Sequence, residues 1–162
     1  MNSILLSTFS GVLLLTSTAW GQVSRFTWSG GDQPVVTDAV TDLIWQGCAA
    51  GQSGERCARG SALGRSWQAA LEYCEDLDWG GHTDWRLPDV NELVSLVDDS
   101  RSSPAIDPAA FLATPSSYFW SSSSYAASSS DAWGVSFNYG YVYSVGKTST
   151  YYARCVRGGP WD

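Results

Sequence analysis

The amino-acid sequence predicts an α+β fold that contains two short helices and antiparallel strand pairs. Three observations lead to this prediction: two segments carry apolar residues at helical spacing, several short runs are typical of strands, and four cysteines are available for disulfides. A length of 162 residues is enough for one domain with a core of its own. We therefore expect a single disulfide-stapled α+β domain.

The N-terminal segment has the pattern of a secretory signal peptide. Residues 4–19 are apolar and uncharged, but they are too few and too often interrupted by Ser and Thr for a comfortable membrane span. We place the cleavage point after Gly21, because the small residues Ala19 and Gly21 then occupy positions −3 and −1 relative to it. We interpret residues 1–21 as a signal peptide and residues 22–162 as the domain, secreted or held at the periplasm or cell surface, with no membrane span after cleavage. The alternative is a retained N-terminal anchor helix.

A hairpin and a helix are predicted in the first half of the domain. The β-prone runs 35–38 and 43–46 are separated by four residues, Ala39 to Asp42, which form the turn. Residues 66–77 have the helical period, with Ser66 as the N-cap. The apolar face of this helix comprises Trp67, Ala70, Leu71, Cys74 and Leu77. Its acidic face is interpreted as solvated.

A second helix is predicted to begin after Asp89. Asp89 and Glu92 have the spacing of a capping box, and we expect the helix to end near Asp98. Its apolar face comprises Val90, Leu93, Val94 and Val97. We expect five tryptophans to help build the core, namely Trp45, Trp67, Trp85, Trp120 and Trp133.

Four cysteines in an exported chain predict two disulfides, for which three pairings are possible. Cys48 and Cys57 flank a short Gly- and Ser-containing loop, which favours a local bridge. The remaining bridge would then join Cys74 to Cys155. With one histidine in the chain and no CxxC pair, a metal site is not expected.

The C-terminal third is nearly free of charge and rich in tyrosine. Between Asp107 and Arg154 the charged residues are Asp131 and Lys147. Residues 133–137 alternate apolar and small or polar side chains, so we predict a strand, followed by a turn at 139–140 and a return strand from 141. Val142 is expected to join the apolar face, while the neighbouring tyrosines face the other way. A loop is predicted at 121–130.

Tyrosine combined with Ser, Gly and Asn is the composition of antibody paratopes, in which Tyr gives rigid contact area and the small polar residues give adaptable hydrogen bonds. The alternative is that these residues decorate an ordinary exposed strand. The candidate ligand-binding residues are Ser124, Tyr125, Ser136, Asn138, Tyr139, Tyr141, Tyr143, Ser144, Thr148, Ser149 and Tyr151.

Composition also excludes some functions. A net charge of −7 with nine Lys and Arg argues against a nucleic-acid ligand, which requires clustered positive charge. His82, the single histidine, lies in a glycine-rich turn, and the cysteines are assigned to bridges. We expect structural roles for Arg86 and Arg154. We therefore expect no enzymatic activity and no cofactor.

Several motifs in order resemble the DUF1566 family, whose domain also forms the C-terminus of the Legionella collagen-like adhesin. They are VTDAVTDLIWQ, SWQAALEYCEDL, GGHTDWRLPDVNELVSLVD, IDPAAF, YFWSSSSY, AWGVSFNYGYV and ARCVRG, spanning about residues 26–159. The resemblance implies a bacterial protein with a C-type lectin-like fold, in which two helices pack on a small twisted antiparallel sheet and a disulfide joins the first helix to the last strand. Asp42 stands where the family often has Gly. The calcium motifs of C-type lectins are absent from this sequence.

Residues 120–158 also resemble the variable region of proteins that are diversified by a retroelement, where adenine-containing codons are copied with errors. The resemblance implies fixed apolar positions alternating with variable ones. The candidates for variation are Gly134, Ser136, Asn138, Tyr139, Tyr141, Tyr143, Ser144, Val145, Gly146, Thr148, Ser149, Thr150 and Tyr151.

Together these features predict an exported, non-enzymatic module that binds a protein or a glycan through its Tyr- and Ser-rich C-terminal surface. The alternative is a structural cell-envelope or assembly domain that uses the same face for subunit packing.

Overall fold

The computed structural model describes residues 24–159, so the predicted signal peptide (residues 1–21) lies outside the described part of the chain. Within residues 24–159 the fold is α+β, as predicted, with two α-helices and three antiparallel sheets. Neither of these helices is long and apolar enough to cross a membrane.

The first sheet contains the predicted hairpin. Its strands are β1 (Phe26–Trp28), β2 (Val35–Asp38), β3 (Ile44–Gln46) and β9 (Val156–Arg157), in the order β1-β2-β3-β9. The turn between β2 and β3 ends at Asp42, which has a φ of 57°. Asp tolerates this left-handed conformation better than most residues do, which explains how it can occupy a position where the family often has Gly.

A second, two-stranded sheet is formed by β4 (Gln52–Ser53) and β5 (Arg59–Gly60), which a short 3₁₀ turn connects. Both predicted disulfides are confirmed. The Cys48–Cys57 bridge closes this local loop, and the Cys74–Cys155 bridge joins the first helix to the residue before β9.

Both predicted helices are present, but both end before the predicted residue, the first at Glu75 instead of Leu77. Helix α1 (Trp67–Glu75) begins after Ser66, whose hydroxyl accepts a hydrogen bond from the Ala69 N–H. Helix α2 (Val90–Val94) has the predicted capping box. The prediction that α2 extends to about Asp98 is wrong, because Val97 instead forms a β-bridge with Ile106.

The third sheet has the order β6-β7-β8 and contains the predicted strands of the C-terminal third. Its strands are β6 (Tyr118–Ser124), β7 (Asp131–Ser136) and β8 (Tyr141–Gly146). The predicted loop 121–130 is too long, since residues 121–124 continue β6. A shift in register between Trp120 and Ser124 allows this continuation, and the Ser121 hydroxyl donates to the Trp133 carbonyl.

Two buried clusters form the core. One lies beneath α2, where Leu93 and Leu96 pack with Phe119, Val135 and Phe137. The other surrounds the Cys74–Cys155 disulfide and includes several tryptophans. Of the five tryptophans predicted for the core, Trp45, Trp85 and Trp120 are buried and Trp67 and Trp133 are half-buried; Trp79, which was not predicted, is also buried.

Candidate ligand-binding surface

The two faces of the third sheet have different surroundings. Directly opposite residues on antiparallel strands share a face. One face therefore carries Phe119, Val135 and Val142, which are aligned across the three strands, and α2 packs against β6 and β7 on the side of the first two. The other face carries three cross-strand lines, Tyr118–Ser136–Tyr141, Trp120–Gly134–Tyr143 and Ser124–Ala132–Val145. We call this second side the tyrosine face.

Five tyrosines form a continuous chain of ring contacts at the tyrosine face, which we call the tyrosine row. From the β7–β8 turn inward, the ring centroids are 6.2 Å apart for Tyr139–Tyr141 and 6.3 Å apart for Tyr141–Tyr143. They are 5.6 Å apart for Tyr143–Tyr118 and 5.0 Å apart for Tyr118–Tyr151. These separations are typical of favourable aromatic pairs.

Exposure falls along the tyrosine row. Tyr139 and Tyr141 are each 60% exposed and Tyr143 is 41% exposed. Tyr118 and Tyr151 are half-buried, and Tyr151 contacts the fully buried Trp120 with ring centroids 5.1 Å apart. The exposed end of the row is therefore attached to the core through successive ring contacts.

Gly134 is a position at which the central strand tolerates no side chain. It lies on the central strand between Trp120 and Tyr143, and it is buried. A Cβ at this position would lie 2.9 Å from the Phe119 carbonyl oxygen, closer than real contacts allow. The sheet therefore requires glycine here.

Two charged side chains, Lys147 and Asp131, lie at the opposite end of the β7–β8 hairpin. Lys147 Nζ donates to Ser124 Oγ (3.0 Å) and to the Ser129 carbonyl (2.9 Å), and it lies 4.2 Å from the centre of the Trp67 ring. Asp131 begins β7, where its carboxylate accepts from the Ser130 hydroxyl. At the β7–β8 turn, beside the exposed tyrosines, the Asp99 carboxylate would lie 3.8 Å from a Cβ on Gly140.

The other predicted ligand-binding residues do not join the tyrosine row. Tyr125 packs edge-on against Trp133 (4.9 Å), and Ser144 is paired with Trp133 across the strands, so both belong to the opposite face. Ser124 lies on the tyrosine face opposite Ala132, but it contacts Lys147 and no tyrosine of the row. Thr148 is exposed in the turn after β8, and the Ser149 N–H donates to the Gly146 carbonyl in the same turn.

Asn138 lies near the tyrosine row but is held by another segment. Its side-chain oxygen accepts from the Ser103 hydroxyl (2.7 Å), and its carbonyl accepts from the Ser103 N–H (2.8 Å). Of the predicted set, the structure thus brings four side chains into one row: Tyr139, Tyr141, Tyr143 and Tyr151.

Two exposure predictions are wrong. Ser136 was predicted on the surface but is 5% exposed, because it lies on the central strand between Tyr118 and Tyr141. Val142 does share a face with Val135, but it is 41% exposed instead of buried, because β8 is an edge strand and α2 packs on β6 and β7.

Tyr118 was missed by the sequence analysis although it connects Tyr143 to Tyr151 in the row. Its alternation with Trp120 at the start of β6 places the two on one face and could have indicated its position. Among residues 24–159, no group of three or more His, Cys, Asp or Glu side chains is arranged to hold a metal ion.

A comparison with curated proteins finds no match. The family model for the Lcl C-terminal domain matches residues 34–157, which include both helices, both disulfides and the whole β6–β8 sheet. The match confirms the family to which the sequence motifs pointed. The chain therefore belongs to the Lcl C-terminal domain family, DUF1566.

Proposed function

We propose that this chain is an exported binding module without enzymatic activity, and that it recognises a protein or a glycan through the tyrosine row. The observation that carries the proposal is the row itself, in which three tyrosines between two-fifths and three-fifths exposed contact one another through their rings. Exposed aromatic surface of this kind is uncommon on proteins without a partner.

Pre-organisation supports the proposal. Tyrosine has few rotatable bonds and offers both an apolar ring and a polar hydroxyl, so it contributes contact area at low entropic cost. Here the contacts of Tyr143 with Tyr118, and of Tyr118 with Tyr151, restrict the rings before any ligand arrives. Within residues 24–159, none of the five hydroxyl groups makes a hydrogen bond, which leaves them available to a ligand.

Export is supported by two features. Family membership and the two disulfides are compatible with an extracellular location, and the sequence pattern of residues 1–21 is that of a signal peptide. We also propose the C-type lectin-like fold that the family resemblance implies. The absence of enzymatic activity is supported by the engagement of all four cysteines in disulfides and by the position of His82 in a turn with Trp79.

We also propose that a retroelement diversifies the exposed positions of this surface. Tyr139, Tyr141, Tyr143 and Ser144 are exposed, and a Cβ on Gly146 would meet no atom closer than 3.8 Å, so these positions tolerate varied side chains. Gly134 and Ser136 are buried, so we exclude both from the proposed variable set. Sequencing the neighbouring DNA tests this part: a template repeat and a reverse-transcriptase gene support it, whereas codons ending in A or G at the exposed positions contradict it.

Binding is tested with the double variant Tyr141→Ala/Tyr143→Ala. The purified chain is screened against an immobilised glycan array and a phage-displayed library of random peptides, and affinities are measured for the strongest binders. We expect the double variant to lose binding and to keep the wild-type thermal melt, because both side chains are largely outside the core.

The matched control is Val40→Ala/Leu63→Ala, which removes two apolar side chains that are exposed elsewhere on the molecule. This variant should bind like the wild type. Unchanged binding by the tyrosine variant would contradict the proposal. A tyrosine variant that binds as before but no longer forms a wild-type oligomer would instead support the assembly function of the same face.

A further inference from the structure

The exposed rings of the tyrosine row are not covered by any cation in the described part of the chain. Tyr139, Tyr141 and Tyr143 have neighbouring ring centroids 6.2 and 6.3 Å apart. A cation is attracted to an aromatic ring within about 6 Å of the centroid, so one cation between two of these rings can interact with both. Within residues 24–159, the Arg and Lys side chains that lie over rings lie over Phe26, Trp67, Tyr73 and Phe111.

The exposed rings do not form a flat surface. The ring planes of Tyr139 and Tyr141 are inclined by 41°, and those of Tyr141 and Tyr143 are almost perpendicular, at 86°. A chain of sugars stacks best on rings that lie in one plane, whereas a compact ammonium or guanidinium group can lie against rings of different orientation. The ring orientations therefore favour a cationic side chain over a glycan.

A carboxylate without a partner flanks the turn between Tyr139 and Tyr141. Asp99 Oδ1 would lie 3.8 Å from a Cβ on Gly140, the residue between these two tyrosines. Asp99 is exposed, and within residues 24–159 its carboxylate forms no hydrogen bond and no ion pair. Val97 contacts the same Cβ position, so Asp99 lies beside the row and not over its rings.

The neighbouring charges leave that of Asp99 unbalanced. In the segment 98–103, Arg101 pairs with Asp98 (2.7 Å), and Asp99 is the remaining charged residue. Lys147 is bound at the opposite end of the β7–β8 hairpin, over the Trp67 ring. The exposed end of the row therefore has a free negative charge beside it, on a chain whose net charge of −7 attracts cationic partners.

We infer that the ligand of the tyrosine row is a polypeptide segment with more than one basic side chain. One Lys or Arg side chain lies against the rings of Tyr139, Tyr141 and Tyr143, and a second pairs with Asp99. Separate cationic groups are needed because Asp99 flanks the row, so a basic protein segment fits both positions and a single small ammonium compound does not. This inference rests on the proposed function, and it selects protein from the two ligand classes named there.

Fluorescence anisotropy with a labelled, end-capped peptide of alternating glycine and lysine tests the role of the rings. The same peptide with glutamine in place of lysine is the control ligand, and both are titrated at low salt because salt screens surface charges. The wild type should bind the lysine peptide and not the glutamine peptide. Tyr141→Leu, which keeps apolar bulk without an aromatic ring, should weaken binding about fivefold, whereas Tyr141→Phe, which keeps the ring, should weaken it much less.

The role of Asp99 is tested with the same lysine peptide. Asp99→Asn should weaken binding about threefold through loss of an exposed ion pair. The matched control is Asp76→Asn, which removes an exposed carboxylate at the end of α1 and changes the net charge equally; it should bind like the wild type. Equal losses in these two variants would show that only the net charge attracts the peptide, and they would overturn the inference. Equal losses in Tyr141→Leu and Tyr141→Phe, or no binding of the lysine peptide by the wild type, would overturn it as well.

The glycan and peptide screens of the proposed function separate its failure from the failure of this inference. Ligands that require Tyr141 and Tyr143 but are glycans, or peptides without basic residues, would confirm the row as a binding site and overturn the inference alone. If the screens yield binders and none of them requires these tyrosines, both the proposed function and the inference fail.

Discussion

The ring of Tyr118 on β6 contacts the ring of Tyr143 on β8 across the intervening strand β7, with the ring centroids 5.6 Å apart. On β7 the residue directly opposite Tyr143 is Gly134, whose close approach to the Phe119 main chain determines how β7 packs against β6.

Gly134→Ala should lower the free energy of unfolding by about 1–3 kcal/mol, the usual cost of overpacking. The added Cβ would lie 2.9 Å from the Phe119 carbonyl oxygen, a main-chain atom that cannot move aside without disturbing β6. The control is Gly146→Ala on the neighbouring strand, where the nearest atom is 3.8 Å away and the lower entropy of the unfolded chain should make the change neutral or slightly stabilising. Urea denaturation measures both, and equal effects would contradict this account of Gly134.

Local signals in the sequence predicted most of the secondary structure. The caps of both helices depend on residues three positions apart, and Ser66, Asp89 and Glu92 form the predicted hydrogen bonds. The β2–β3 hairpin and the β7–β8 turn also follow from short patterns. The cysteine pairing could be predicted because the short spacing of Cys48 and Cys57 leaves a single pair.

The composition of the candidate surface could be predicted, but its boundaries could not. Ser136 and Val142 were misplaced because exposure depends on which strand lies at the edge and on how far α2 covers the sheet. Tyr118 was missed because its contact with Tyr143 crosses two strand pairings. Such contacts are set by the register of distant segments, which a local pattern does not encode.

Arg154 is a fully buried cation that holds three acceptors, as its predicted structural role requires. Its Nη1 donates to the carbonyls of Gln46 and Gly47 (2.7 Å each), and its Nη2 donates to Thr114 Oγ1 (2.8 Å). Burial lowers the pKa of the guanidinium to about 9. The interaction joins β3 and the residue after it to the segment before β6.

Arg154→Lys should lower the free energy of unfolding by about 2–4 kcal/mol, because an ammonium group cannot reproduce the planar array of donors and leaves buried oxygens unpaired. The control is Arg59→Lys, whose ion pair with Asp32 is exposed on both sides, and which should have no measurable effect. Denaturation by guanidinium chloride compares the two. A loss at Arg154 no larger than at Arg59 would show that the buried network does not contribute to stability.

The two disulfides should contribute unequally to the free energy of unfolding. They join cysteines 81 and 9 residues apart, and loop-closure entropy gives about 4.5 kcal/mol for the longer loop and about 2.6 kcal/mol for the shorter one. Calorimetry of the two double variants should therefore give a lower melting temperature for Cys74→Ala/Cys155→Ala than for Cys48→Ala/Cys57→Ala. The opposite order would mean that local strain or packing, and not loop length, determines their contributions.

Asp38 should make the fold sensitive to acid. It is buried at the end of β2, where Arg25 forms a bidentate pair with it and the Val40 N–H and the Thr41 hydroxyl donate to its carboxylate. Burial alone would raise the pKa of Asp38, but the bonds from Arg25, Val40 and Thr41 outweigh it and lower the pKa below its ordinary value.

A carboxyl group whose pKa is lower in the folded protein contributes stability above its unfolded pKa, about 4, and this contribution is lost as the pH falls through the folded value. We therefore expect the free energy of unfolding to decrease below about pH 4, as measured by urea denaturation at a series of pH values. Asp38→Asn should make the free energy of unfolding depend less on pH below about pH 4, and it should lower the stability at neutral pH. Arg25→Gln should weaken the same dependence partially, because it removes the strongest of the interactions that favour the ionised carboxylate. If the stability of Asp38→Asn decreases with falling pH as steeply as that of the wild type, the acid sensitivity comes from other carboxyl groups.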